Sequence, residues 1–252
     1  ALVSVVFFSC TSNVDEAEVK KARQFFESVF QDQVLDSPEF QASLGYKSNY
    51  DQWDDITWQK SRERAKRAAD DLKFMKKNIN FDKIDEDTKI SYKLMEKRLQ
   101  RTIDSDKFIF HGYPVTHRGG KHSSIPSFLI NYHRVDEVQD IKDYIGRLRN
   151  IEPLMDDLME QLMLRQDVKK LAPAFVYPQA IKTSENIISG YPFEEVEKQN
   201  VIYEDFMKKL NALDISDAEK LRYQSEAEAV LLTIVNFSYR KFIDFLKDQQ
   251  AL

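Results

Sequence analysis

The chain has 252 residues, 42 % of them apolar and 31 % charged, with a formal net charge of −5. That length supports one large domain or two small ones with a core that needs no staples. Both charge signs are interspersed, which argues against a nucleic-acid-binding protein, whose basic residues cluster on one face. No stretch reaches the roughly 18 consecutive apolar residues that a membrane span requires.

The chain opens "ALVSVVFFSCTSN". Residues 2–8 are apolar except Ser4, and Ser9, Cys10 and a polar segment follow. This is the pattern of the end of a secretory apolar region without its charged start. A small residue before Cys10 resembles the lipobox of bacterial lipoproteins, in which the cysteine is acylated and becomes the mature N-terminus. Phe7 and Phe8 depart from that motif, and a short buried strand with an inert cysteine is the alternative. The reading is therefore a truncated signal and lipobox segment (1–10), a tether with an N-terminal helix (11–36) and a helical domain (37–252). The protein is expected to be exported, periplasmic or on the outer membrane, and held at the membrane by a lipid on Cys10. A single cysteine allows no intrachain disulfide.

Val19, Ala22, Phe26, Val29 and Phe30 recur at helical spacing and predict a helix over 15–35. In "DSPEF", Ser37 is an N-cap and Pro38 a first helical residue. Gly45 is the stop of that short helix. A charged helix is predicted over 57–78. Another is predicted over 85–102, with Ile90, Leu94 and Leu99 facing inward.

Residues 104–135 break the pattern. They hold all four histidines (His111, His117, His122, His133) and three of the six glycines. No clean period runs through them, and only "IPSFLINY" suggests a helical turn or two. Helix resumes at Asp136, read as an N-cap. Ile141, Ile145, Leu148 and Ile151 form a stripe, which Leu154, Met155, Leu158, Met159 and Leu162 continue past Pro153. Two weaker helices are predicted over 178–189 and 193–211. Ser216 and Glu219 form a capping box that opens the longest predicted helix, 216–248. Period-2 alternation is nearly absent. The expected fold is all-α, an irregular multi-helix array with one long loop containing Gly, His and Pro.

That loop is the candidate site. A helical zinc-peptidase motif needs two histidines four apart with a glutamate between them. The spacings here are 6, 5 and 11, so four separately bonded histidines are the simpler reading. "GGKHSS" fails as a phosphate loop, because Val115 and His122 stand where Gly and Ser or Thr are required. A substrate-contacting loop remains. Long irregular segments inside compact domains are usually functional. Gly119 and Gly120 permit a sharp turn, around which His117, Arg118, Lys121 and His122 would present donors to a peptide or a small anionic ligand. A solvated connection is the plain alternative. His133 is read as structural, bonding open backbone groups between two helices. The Met155, Met159, Met163 stripe reads as core.

Several segments carry a family resemblance in order. They are "SPEFQASLGYKSNYDQWDD", "IPSFLINYHRVDEVQDIKDYIGRLRNIEPLMDDLMEQL", "LAPAFVY" and "NFSYRKFIDFL". Over residues 36–247 the chain resembles the first half of the bacterial domain-of-unknown-function family eight-eight-five. One departure is Ala172, where that family more often has Gly before the Pro. The resemblance implies secreted or lipid-anchored proteins similar to helical, gluzincin-like zinc metallopeptidases. Their zinc-binding His and Glu residues would lie in the second half. It therefore implies a chain with no catalytic residue, no metal ligand and no cofactor of its own, forming one wall of a substrate cleft, with zinc in the full-length parent. A stand-alone helical lipoprotein that binds a ligand or partner is the alternative.

Overall fold

A computed structural model describes residues 14–252. The expected segment at 1–10, with Cys10, lies outside them. In chain order the α-helices are α1 (Glu16–Leu35), α2 (Pro38–Ser43), α3 (Trp58–Asn78), α4 (Glu86–Ser105), α5 (Lys121–Tyr132) and α6 (Val138–Arg149). They continue with α7 (Ile151–Asp167), α8 (Val176–Ile187), α9 (Val201–Asn211), α10 (Asp217–Val230) and α11 (Asn236–Gln250). Two short 3-10 turns (Phe81–Lys83 and Asp106–Phe108) and one two-stranded hairpin, β1 (Val115–Thr116) with β2 (Gly119–Gly120), accompany them. The architecture is all-α, as the periodicities require.

The described residues form two compact units, one of residues up to 33 with 62–107, the other of 34–61 with 108–252. In the first, α1 is a packed helix. Its Val19, Ala22, Phe25 and Val29 share a core with Ala68, Leu72 and Met75 of α3 and with Tyr92 and Leu99 of α4. Two inward assignments on α4 are corrected. Ile90 and Leu94 are 59 % and 64 % exposed, while Thr88, Tyr92 and Leu99 are buried. Spacings of 4 and 7 place those three on one face. Thr88 is held there by the Asp85 cap, whose carboxylate accepts its N–H at 2.7 Å.

In the second unit, α2 begins as its sequence dictates, with Ser37 Oγ accepting the Phe40 N–H at 3.1 Å. Gly45 follows its end at φ +87°. The Ile141, Ile145, Leu148, Ile151 stripe is almost fully buried, and Leu154, Met155 and Leu158 extend it. Met163 leaves the core at 46 % exposure. Asp136 does not cap α6. Glu137 takes that position, and the buried Asp140 carboxylate reaches back to accept the N–H groups of Asp136 (2.8 Å) and Glu137 (3.0 Å). Helix α7 stops where Lys169 takes a positive φ of 57°, so that the Lys170 N–H reaches the Arg165 carbonyl. This turn needs no glycine, because the left-handed residue lies ahead of the Ala172–Pro173 step. The predicted helix over 193–211 begins only at Val201, capped by Asn200. The predicted 216–248 helix is real, but residues 231–235 wind as a π-helix between α10 and α11. That wider turn re-aims the following side chains, and Tyr239, Phe242 and Leu246 enter the core. α11 packs on α7 and α8, and α10 packs on α6 and α9.

Candidate functional site

The segment expected as a long loop is more ordered than its composition suggests. Val115 pairs with Gly120 and Thr116 with Gly119, so His117 and Arg118 form a two-residue turn. Gly119 has φ +127°, a value that L side chains rarely adopt. A Cβ on Gly120 would stand 2.3 Å from the Pro114 carbonyl oxygen. Helix α5 follows at once, and the Ser123 hydroxyl accepts the Gly120 N–H at 2.9 Å. The loop reading of 121–132 is thus corrected: twelve residues of helix begin at Lys121. The reason is hidden in "KHSSIP". Pro126 removes the N–H that would bond the His122 carbonyl, which makes the run look irregular. The Tyr239 hydroxyl of α11 supplies that bond instead, at 2.5 Å.

The four expected ligand-contacting residues do not share one surface. Arg118 is exposed at the hairpin tip. His117, also exposed, packs its ring on Phe175 with centroids 5.5 Å apart. Lys121 turns toward α2, pairs with Glu39 and lies 5.1 Å over the Trp53 ring. His122 is fully buried against Phe242, so it does not present a donor around the turn. Neither of its ring nitrogens has a partner, and burial lowers its pKa to about 4. The helical start at Lys121 is what carries the ring inward.

His133, also 0 % exposed, has both ring nitrogens in contact with partners. Its Nε2 lies 2.9 Å from the Asp140 carbonyl oxygen, and Arg147 Nη1 lies 3.1 Å from its Nδ1. A carbonyl only accepts and a guanidinium only donates, so the ring is neutral with its proton on Nε2. Burial is the main cause that lowers its pKa to about 3. Arg147 is itself fully buried. It stacks with Tyr50, Trp53 and Phe128 at 4.7–5.6 Å and donates to the Gln52 carbonyl at 3.0 Å. Its Nη2 has no hydrogen-bond partner. Among the described residues, no group of three or more His, Cys, Asp and Glu is placed to hold a metal ion. These residues therefore do not fit a zinc centre.

A cleft of about 330 Å³ lies between residues 109–114 and the middle of α7. Lys121 borders it, and Gln161 and Arg165 line its α7 side. The sequence does carry a trace of these two. The buried face Leu154, Leu158, Gln161, Arg165 changes from apolar to polar at helical spacing, which a purely structural stripe would not do. Nothing in the sequence shows that residues 109–112 would close over that end.

The architecture defines an all-α protein with a hairpin, a small polar-edged cleft and a buried Arg–His pair. The family model described as "Bacterial protein of unknown function (DUF885)" matches residues 38–252, and the chain belongs to that family. The fold is similar to the crystal structure of a protein described as a "putative lipoprotein" from Colwellia psychrerythraea. The TM-score is 0.74 at 16 % identity, over 96 % of this chain and 42 % of that one. The chain thus spans less than half the length of that relative. No curated protein matches the sequence.

Proposed function

We propose that this chain is the non-catalytic, helical N-terminal portion of an exported, zinc-dependent peptidase-like hydrolase and forms one wall of its substrate cleft. The observation that supports this most is the extent of the fold match, nearly all of this chain on 42 % of a longer one. A second half of comparable size is where the family resemblance puts the zinc-binding His and Glu residues. A zinc ion there would polarise the scissile carbonyl and activate water, while this portion would hold peptide. Export with a lipid on Cys10 goes with this reading. The structural relative is itself described as a "putative lipoprotein".

The test uses the natural protein expressed with its complete reading frame and leader. Elemental analysis should find one zinc per chain, and peptide hydrolysis should vanish on chelation and return with zinc. Mass spectrometry should find acyl chains on Cys10. A full-length protein that holds no zinc and cleaves no peptide refutes the hydrolase. The second reading, a helical lipoprotein that binds a ligand without chemistry, would then stand on the cleft alone.

A further inference from the structure

The cleft beside α7 has a feature that packing leaves unexplained. Gln161 is 5 % exposed, yet its Nε2 has no hydrogen-bond partner. Buried amide donors are almost always paired. One turn on, Arg165 is 9 % exposed, and its donors go to carbonyl oxygens only. Nε bonds Gly112 at 2.7 Å, Nη1 bonds Gln161 at 2.7 Å and Nη2 bonds Ile109 at 2.9 Å. No carboxylate among the described residues pairs with it, so carbonyl dipoles and the Phe110 ring, 5.6 Å from the guanidinium carbon, face its charge without a counter-ion. Lys121, by contrast, is paired with Glu39. Ile56, Tyr113, Pro114 and Leu158 supply apolar and aromatic wall.

We propose that this cleft binds a free carboxylate carried on an apolar group, about one or two amino-acid residues in size. The carboxylate accepts from Gln161 Nε2 and sits in the uncompensated field of Arg165, with its apolar part against Tyr113, Pro114 and Ile56. The terminal torsion of a glutamine amide is soft, and a rotation brings the N–H into the cleft. Phosphate is a poorer fit, because the fork of Arg165 is already engaged and the walls are apolar. Asp157, one turn before Gln161, lies near Asp55 and Glu160 but does not line the cleft, which places the ligand's charge at the Arg165 end. The assignment rests on the geometry of this chain and stands whether or not the longer protein hydrolyses peptides.

The experiment is calorimetric titration of the 252-residue chain with N-acetyl-glycyl-leucine and, separately, with its C-terminal amide. The acid should bind at least tenfold more tightly than the amide, and inorganic phosphate should not compete. Gln161→Met should weaken the acid at least tenfold while leaving the melting temperature unchanged or higher, because it removes an unpaired buried donor. Tyr113→Ala, at a residue already 45 % exposed, should weaken binding severalfold without changing stability. Equal binding of acid and amide, binding of neither, or wild-type affinity in both variants would overturn the proposal.

Discussion

Replacing His133 with alanine isolates what one buried ring does for the second unit. The substitution removes the acceptor of the Arg147 Nη1 bond and the donor to the Asp140 carbonyl. It also removes a ring stacked on Tyr50 at 4.2 Å and packed edge-on against Tyr144 at 4.9 Å. Arg147 would keep a single side-chain hydrogen bond, to Gln52. Leaving a buried charged donor unpaired costs about 1–3 kcal/mol, and the cavity adds roughly 1–2 kcal/mol. The expected total is about 2–5 kcal/mol, a fall in melting temperature of about 4–20 °C for a domain of this size. Both tryptophans, Trp53 and Trp58, lie in the second unit, so urea unfolding followed by their fluorescence reads that unit. Arg147→Met completes a double-mutant cycle. In the double variant much of the His133→Ala cost should disappear, because no guanidinium remains to be stranded. A loss below about 1 kcal/mol for His133→Ala, or strict additivity in the cycle, refutes the argument that the pair acts as a unit.

The two buried histidines set a pH dependence with a definite sign. Folding depresses both pKa values, to about 3 for His133 and about 4 for His122, so the unfolded chain binds more protons below its own value of about 6.5. Their contribution is therefore complete above pH 6.5 and is lost as pH falls toward 4 for His122 and toward 3 for His133. Between pH 7 and 5 each should remove about 2 kcal/mol, and a flat unfolding midpoint over that range contradicts it. Tyr239→Phe leaves the buried His122 carbonyl without its partner and should cost about 1–3 kcal/mol in denaturant unfolding; a neutral result would mean that the Pro126 gap is satisfied in another way. On α4, Leu99→Ala should cost about 2–5 kcal/mol, whereas Leu94→Ala should stay within about 0.5 kcal/mol. Equal effects in thermal melts would mean that the assigned inward face is wrong.

Local chemistry was enough for much of this protein. The all-α class, the Ser37–Pro38 start, the Ser216–Glu219 box and the Ile141–Leu158 stripe follow from capping and 3.6-residue periodicity, which act within a few residues. The structural role of His133 was legible too, because a polar ring between two helices has nearby backbone groups to bond. Its guanidinium partner was not, since Arg147 and His133 meet only after α6 folds back beneath the aromatic wall of Tyr50, Trp53 and Phe128. The segment at 121–126 looked irregular because proline removes a helical donor, and only packing against α11 brings the hydroxyl that replaces it. Ile90 and Leu94 were placed inward because periodicity marks a stripe without saying which of two neighbouring stripes a partner will cover. The α7 stripe shows Gln161 and Arg165 as polar residues on a buried face, but the cleft itself belongs to tertiary structure. Its donors come from one helix and its carbonyls from a segment some fifty residues earlier, and only long-range closure brings them to hydrogen-bonding distance.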